Sequence, residues 1–77
     1  MTSIRYDLYR RMIELLVEAR KEAGITQIEL GKRLGVRQTF VSKFELGERR
    51  LDVAEYIEVC RAIGTDPYQI MRAADVR

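Results

Sequence analysis

Residues 26–47 read TQIELGKRLGVRQTFVSKFELG, and this stretch decides the fold of the 77-residue chain. Thr26 and Glu29 have the spacing of a capping box, which starts a helix, and a glycine ends the pattern a few residues later. Polar and apolar residues then separate onto two sides of a second short helix. The stretch therefore predicts helices at 27–34 and 38–45, joined by a turn of about three residues.

Outside this stretch the chain predicts three further helices and no strand. Their limits are indicated by apolar periodicity from about Tyr6 to Ala23, a second capping box at Asp52 and Glu55, and a cap residue with proline at Asp66-Pro67. Left-handed caps are predicted at Gly24, Gly35, Gly47 and Gly64. We therefore predict a single domain over residues 1–77, an all-α, compact five-helix bundle with a helix-turn-helix at about 27–45.

The composition argues against an enzyme and against most metal sites. The chain has 47% apolar and 34% charged residues, no histidine and one cysteine, Cys60, which we interpret as core packing. Without histidine, and with a single cysteine, the chain cannot use histidine catalysis, bind zinc through a Cys/His site or form an internal disulfide. The low cysteine count fits a reducing cytoplasm. We expect no catalytic residue, no metal and no cofactor, and no ligand pocket of ordinary size, about 300–1,000 Å³.

Charge is concentrated in the middle of the chain. The net charge is only +2, but residues 26–50 hold six basic and three acidic groups, whereas residues 51–77 hold three basic and five acidic groups. No apolar run approaches the ~20 residues that cross a bilayer, and no secretory signal is readable. We expect a cytoplasmic protein without a membrane partner, with its basic surface near the two central helices.

Three motifs occur together at fixed spacing: Gly24-Ile25-Thr26-Gln27, Leu34-Gly35-Val36 and Ser42-Lys43-Phe44-Glu45-Leu46-Gly47. With them the sequence resembles the Cro and lambdoid phage repressor (Xre-like) family of helix-turn-helix proteins, over about residues 10–74. The combination is far more specific than a bare helix-turn-helix pattern. The resemblance implies an all-helical domain that lays the helix at 38–45 in the major groove of double-stranded DNA.

The same resemblance implies roles for individual side chains. Base reading falls to Arg37, Gln38, Thr39, Phe40, Ser42 and Lys43, and phosphate binding to Gln27, Arg49 and Arg50. The chemistry agrees, because glutamine pairs with adenine, lysine donates to guanine and a threonine methyl packs on a thymine methyl. Each role has a structural alternative. The polar side of the helix at 38–45 can be an ordinary solvated face, Gln27 can serve only to cap its helix, and Arg49 and Arg50 can belong to a solubilising loop.

Some positions depart from the family pattern. Arg37 stands where many members have a serine or threonine helix cap, which arginine cannot replace, so we expect it to reach a phosphate or a guanine instead. Gly31 stands where alanine is usual, which permits close approach of the following helix. For Phe40 two alternatives stay open, packing beneath the preceding helix or an exposed ring that touches a thymine methyl.

Arg20 and Glu45 match positions that form an ion pair in related repressors, tying the first helix to the end of the third. The alternative is two unrelated surface charges. If the pair forms, it orients the helix that reads the bases.

Binding through one helix covers about half a turn of DNA, and helix-turn-helix dimers place two such helices ~34 Å apart on a roughly palindromic operator. We expect a homodimer with an interface around Leu51, Tyr56 and Tyr68, or alternatively around the N-terminal residues Tyr6, Leu8 and Tyr9. The predicted function is a sequence-specific regulator of transcription, acting as a repressor that occupies a promoter; activation through a contact with the polymerase is equally compatible with the residues. The alternative is a helical interaction module such as an antitoxin, which binds a partner protein.

Overall fold

The computed structural model describes residues 3–75, and side chains from residue 7 onward. Over this range the chain forms five helices and no strand, which confirms the all-α five-helix prediction. The helices are α1 (Ser3–Glu22), α2 (Gln27–Leu34), α3 (Gln38–Leu46), α4 (Val53–Ile63) and α5 (Pro67–Ala74). Helix α2 packs against α3 and α4, while α1 packs against α5, α3 and α4. Helix α3 therefore packs against two other helices, α1 and α2.

The four predicted glycine caps are present. Gly35 and Gly47 end α2 and α3 at φ of 73° and 83°, in the left-handed region that glycine enters without steric cost, and Gly24 and Gly64 have the same conformation. The turn between α2 and α3 is tight, because a Cβ on Gly31 would stand 2.9 Å from the Val36 carbonyl oxygen. The close approach predicted for Gly31 is therefore present.

The two predicted capping boxes differ in outcome. Asp52 and Glu55 form both hydrogen bonds of the box at the start of α4. At the start of α2, Thr26 accepts from the Glu29 amide at 3.0 Å, but the Glu29 carboxylate lies against Arg33 Nε at 3.1 Å. The prediction of a full box there was wrong, because a charged partner one turn along the helix binds the carboxylate instead.

The core is built from one side of each helix. Among the described residues the largest fully buried side chains are Leu16, Leu30, Val41, Phe44, Val59 and Cys60. Burial raises the pKa of the Cys60 thiol, which suits the packing role predicted for it. Helix α3 contributes Val41 and Phe44 to this core, so its opposite side must face outward.

A buried ion pair ties α1 to α3. The guanidinium of Arg20 donates through Nε to Glu45 Oε2 at 2.7 Å and through Nη2 to Glu45 Oε1 at 3.0 Å. Its remaining nitrogen donates to the Ile25 carbonyl at 2.8 Å, in the link between α1 and α2. Both side chains are more than nine-tenths buried, so the pair is a structural element rather than a surface contact.

Because removal of one partner leaves a buried charge without compensation, we expect Arg20→Met and Glu45→Leu each to lower the free energy of unfolding by about 3–5 kcal/mol. The double variant should lose clearly less than the sum of the two. A double-mutant cycle from urea unfolding measures this coupling. The half-exposed Glu29–Arg33 pair is the control, with about 0.5 kcal/mol or less expected. A cycle for Arg20 and Glu45 without coupling would contradict the role of the pair.

Candidate nucleic-acid interface

The outer face of α3 consists of Gln38, Thr39, Ser42 and Lys43. Gln38, Thr39 and Lys43 are exposed, and Ser42 is half-buried with its Oγ donating to the Thr39 carbonyl at 3.3 Å. The predicted base-reading residues other than Phe40 thus lie on or beside one accessible surface. Amide, hydroxyl and ammonium groups are the donors and acceptors that base edges recognise.

Arg37 occupies the N-cap position of α3. Among the described residues it makes no side-chain hydrogen bond to the helix that it precedes, and it is exposed. The Phe40 amide donates to the Arg37 carbonyl at 3.0 Å, but no side chain at the cap position accepts from the first amides of α3, and the partial positive charge of the helix end is not offset there. Such an arrangement attracts a phosphate or another anion.

Gln27 links the buried ion pair to the outer face of α3. Its Nε2 donates to Glu45 Oε1 at 2.8 Å, and its Oε1 accepts from Gln38 Nε2 at 3.2 Å. Gln27 itself is half-buried at the start of α2. The side-chain amide is therefore engaged within the protein, and a phosphate can be met by its second Nε2 hydrogen or by the free amides of the helix end.

Phe40 does not share the outer face. Its ring is half-buried and meets Phe44 edge-on, at 6.0 Å between centroids and 67° between planes. The guanidinium of Arg49 lies 4.5 Å from the centre of the Phe40 ring. Of the two alternatives for Phe40, the structure has the packed one, because the ring completes the apolar side of α3. A base-reading role for Phe40 has no support in this geometry.

Arg49 is occupied by contacts within the protein. Its guanidinium forms two hydrogen bonds to the Glu55 carboxylate, at 3.0 and 2.8 Å, and a third to the Arg50 carbonyl at 3.1 Å. Hydrogen bonds from Arg49 and from the Asp52 amide hold the pKa of Glu55 below its ordinary value. Arg49 thus closes the loop between α3 and α4, which leaves it poorly placed for a phosphate.

Arg50 stacks on an aromatic ring of α1. Its guanidinium stands 4.4 Å from the centre of the Tyr9 ring, and Tyr9 Oη accepts a hydrogen bond from the Leu51 amide at 3.0 Å. Stacking on one ring face leaves the edge of the guanidinium open to solvent, where an anion can bind.

An apolar groove lies between α1, α4 and α5. It has a volume of about 340 Å³, which contradicts the expectation that so small a domain has no pocket of ordinary ligand size. Its lining includes Tyr9, Met12, Leu51, Val53, Tyr56, Ile57, Tyr68 and Met71. Val53 and Tyr68 are 76% and 65% exposed, which is unusual for large apolar side chains.

The predicted interface residues Leu51, Tyr56 and Tyr68 all line this groove, but Tyr56 differs from the others. Its ring is buried and its hydroxyl donates to the Pro67 carbonyl. Tyr56 is therefore the floor of the groove and not a projecting contact. Of the alternative interface, Leu8 and Tyr9 are half-buried, and the Tyr6 side chain lies outside the described residues.

Besides the hydrogen bonds of Gln27 to Glu45 and Gln38, the sequence analysis missed two contacts of the candidate interface. These are Glu55 as the partner of Arg49, and Tyr9 as the ring on which Arg50 stacks. The short distance along the chain from Arg49 to Glu55 was a possible signal for the first. Nothing in the sequence links Tyr9 to the loop 42 residues later.

Across residues 7–75, no cluster of carboxylate or thiol side chains could hold a metal ion. No helix in the described part is long and apolar enough to span a membrane.

Comparisons with known proteins identify the family. The helix-turn-helix family model matches residues 16–70. The chain is similar to a solved structure of an XRE-family like protein from Pseudomonas syringae pv. tomato, with 51% identity, a TM-score of 0.93, and coverage of 96% of this chain and 90% of the other. It is also 47% identical over 36 residues to antitoxin HigA1 from two Mycobacterium tuberculosis strains, covering 47% of this chain but only 24% of those relatives. The chain belongs to the XRE-type helix-turn-helix family, whose fold is that of DNA-binding regulators.

Proposed function

We propose that this protein is a sequence-specific transcriptional regulator, a repressor, that reads the major groove of double-stranded DNA with α3 as a homodimer. The observation that carries the proposal is the outer face of α3. It is polar and accessible, while the opposite side of the same helix is buried through Val41 and Phe44. A repressor of this kind occupies a promoter and blocks the polymerase.

The side-chain geometry supports separate roles in base reading and in phosphate binding. Gln38, Thr39, Ser42 and Lys43 read base edges, since they present donors and acceptors from one helix face. Arg37 and Arg50 bind phosphates at the start of α3 and in the loop after it, together with Gln27. Arg49, which was expected to bind phosphate, acts mainly by holding that loop against Phe40 and Glu55.

For the wild-type protein we expect affinity for its preferred duplex to fall steeply with salt, with a log–log slope of about −0.9 for each phosphate neutralised. Selection from a random DNA library gives the preferred site. Lys43→Ala should then weaken that site by about 1–3 kcal/mol and relax preference at one position. Arg61→Ala, which removes the same charge from α4, should leave the selected motif unchanged. A Lys43→Ala motif identical to that of the wild type would contradict base reading by Lys43.

Arg37→Ser should have opposite effects on stability and on DNA binding. Serine can accept from an amide of the first turn of α3, so we expect the free energy of unfolding to rise by about 1 kcal/mol. The loss of one guanidinium should lower affinity for all sequences and reduce the salt slope by about 0.9. Thermal unfolding and a salt titration of binding measure the two effects. Unchanged binding would leave Arg37 as a solvated surface residue.

The apolar groove supports the homodimer. Its exposed residues Val53, Tyr68 and Met71 give the groove an accessible apolar surface, and burial of such surface drives association. In a two-fold dimer the same surface serves both copies, which matches a roughly palindromic operator.

Tyr68→Glu should convert the dimer to a monomer and weaken operator binding, because it places a charge in the apolar contact. Gln69→Glu, an exposed neighbour on α5 that does not line the groove, should remain dimeric. Analytical ultracentrifugation with and without operator DNA measures both. A wild-type protein that is monomeric in both conditions would rule the dimer out.

The likeness to antitoxin HigA1 favours a second candidate, in which a partner protein binds this chain. The matching segment spans about a quarter of those relatives, so the toxin-binding role is a proposal for this chain. Salt separates the candidates, because a complex held by apolar side chains weakens little as salt rises, in contrast to a DNA complex.

A further inference from the structure

One aromatic side chain of α1 holds the loop that follows α3. The guanidinium carbon of Arg50 lies 4.4 Å from the centre of the Tyr9 ring, and Tyr9 Oη accepts a hydrogen bond from the Leu51 amide at 3.0 Å. Tyr9 is half-buried and packs against the core. The core therefore fixes the position of the ring, and the ring restrains two consecutive residues of the loop.

The two arginines of this loop differ in what holds them. Arg49 binds both oxygens of the Glu55 carboxylate, and its guanidinium lies 4.5 Å from the centre of the Phe40 ring. Within the described part of the chain, the Arg50 guanidinium forms no ion pair and donates no hydrogen bond. Arg50 is thus the arginine whose N–H groups stay available to an anion, and its orientation depends on the stacking with Tyr9.

An arginine that is already ordered binds a phosphate more tightly than a mobile one. A free arginine side chain occupies many rotamers, and the loss of this freedom on binding opposes the complex. Stacking on an aromatic face restricts the plane of the guanidinium while its N–H groups remain at the edge. The hydrogen bond to the Leu51 amide fixes the backbone next to Arg50. The same ring therefore restrains the tip of the arginine side chain and the backbone beside its base.

We propose that Tyr9 is a positioning residue for DNA binding, whose ring holds Arg50 in the orientation that binds a phosphate beside the groove entered by α3. The inference rests on the proposed function, since it gives α1 a role in the contact with the DNA backbone. Tyr9 itself touches neither base nor phosphate in this scheme.

A double-mutant cycle on DNA affinity tests this role. Tyr9→Leu, which removes the ring, should weaken binding to the selected duplex by about three- to tenfold, because Arg50 must then be ordered on binding. In the Arg50→Ala background the same substitution should have no such effect, since no guanidinium is left to position. Because Tyr9 also lines the apolar groove, an effect on dimerisation appears in both backgrounds and cancels in the cycle. The selected motif should stay that of the wild type, because phosphate contacts carry no sequence information directly.

Two variants serve as controls. Tyr9→Phe keeps the ring, so it should lose clearly less affinity than Tyr9→Leu. Met12→Ala changes another α1 residue of the groove and should weaken binding equally with and without Arg50. Thermal unfolding verifies each fold, and Tyr9→Met, a second variant without a ring, decides the outcome where Tyr9→Leu is unstable.

The outcomes separate the inference from the proposed function. If removal of the ring costs the same affinity in both backgrounds, if Tyr9→Phe loses as much as Tyr9→Leu, or if Arg50→Ala binds as the wild type does, the inference is overturned and the proposed function stands. A wild-type protein that binds no duplex overturns both.

Discussion

The bidentate contact between Arg20 and Glu45 is the constraint on which the orientation of α3 depends. It joins α1 to the last turn of α3, and the third hydrogen bond of Arg20 includes the link to α2. Two charges buried together are tolerated only when each is fully satisfied, because the interior does not replace the water that they lose. A large change in the tilt of α3 would break these bonds and leave buried charge unsatisfied, so the pair favours the observed arrangement of the three helices.

Helix α3 needs this support because its own sequence is a weak helix former. It has nine residues, fewer than the ~12–15 at which isolated helices become marginally stable in water, and its N-cap residue gives it no side-chain hydrogen bond within the described chain. Its stability comes from burial of Val41 and Phe44 and from the Gly47 cap. The accessible outer face is thus a consequence of tertiary packing on the opposite side.

The loop after α3 is ordered by two aromatic rings from different parts of the chain. Phe40 and Glu55 hold Arg49, while Tyr9 of α1 holds Arg50 and the Leu51 amide. Tyr9 also lines the apolar groove. An occupant of the groove therefore contacts the same ring that positions Arg50, which places the proposed dimer surface and a proposed phosphate contact on one side chain.

Local chemistry in the sequence was sufficient for the five helices, the four glycine caps and the Asp52 cap, because each depends on residues a few positions apart. The partnership of Arg20 with Glu45 came from the family resemblance, since no local rule joins residues 25 positions apart. Only the tertiary structure decided that Phe40 packs inward, that Arg49 is held by Glu55, that Tyr56 is a floor and not a projection, and that Gln27 bridges Glu45 to Gln38. These outcomes depend on which helices pack together and at what distance. A side chain such as that of Arg49 or Gln27 has several possible partners in the sequence, and only the packing of the helices decides which of them lies within reach.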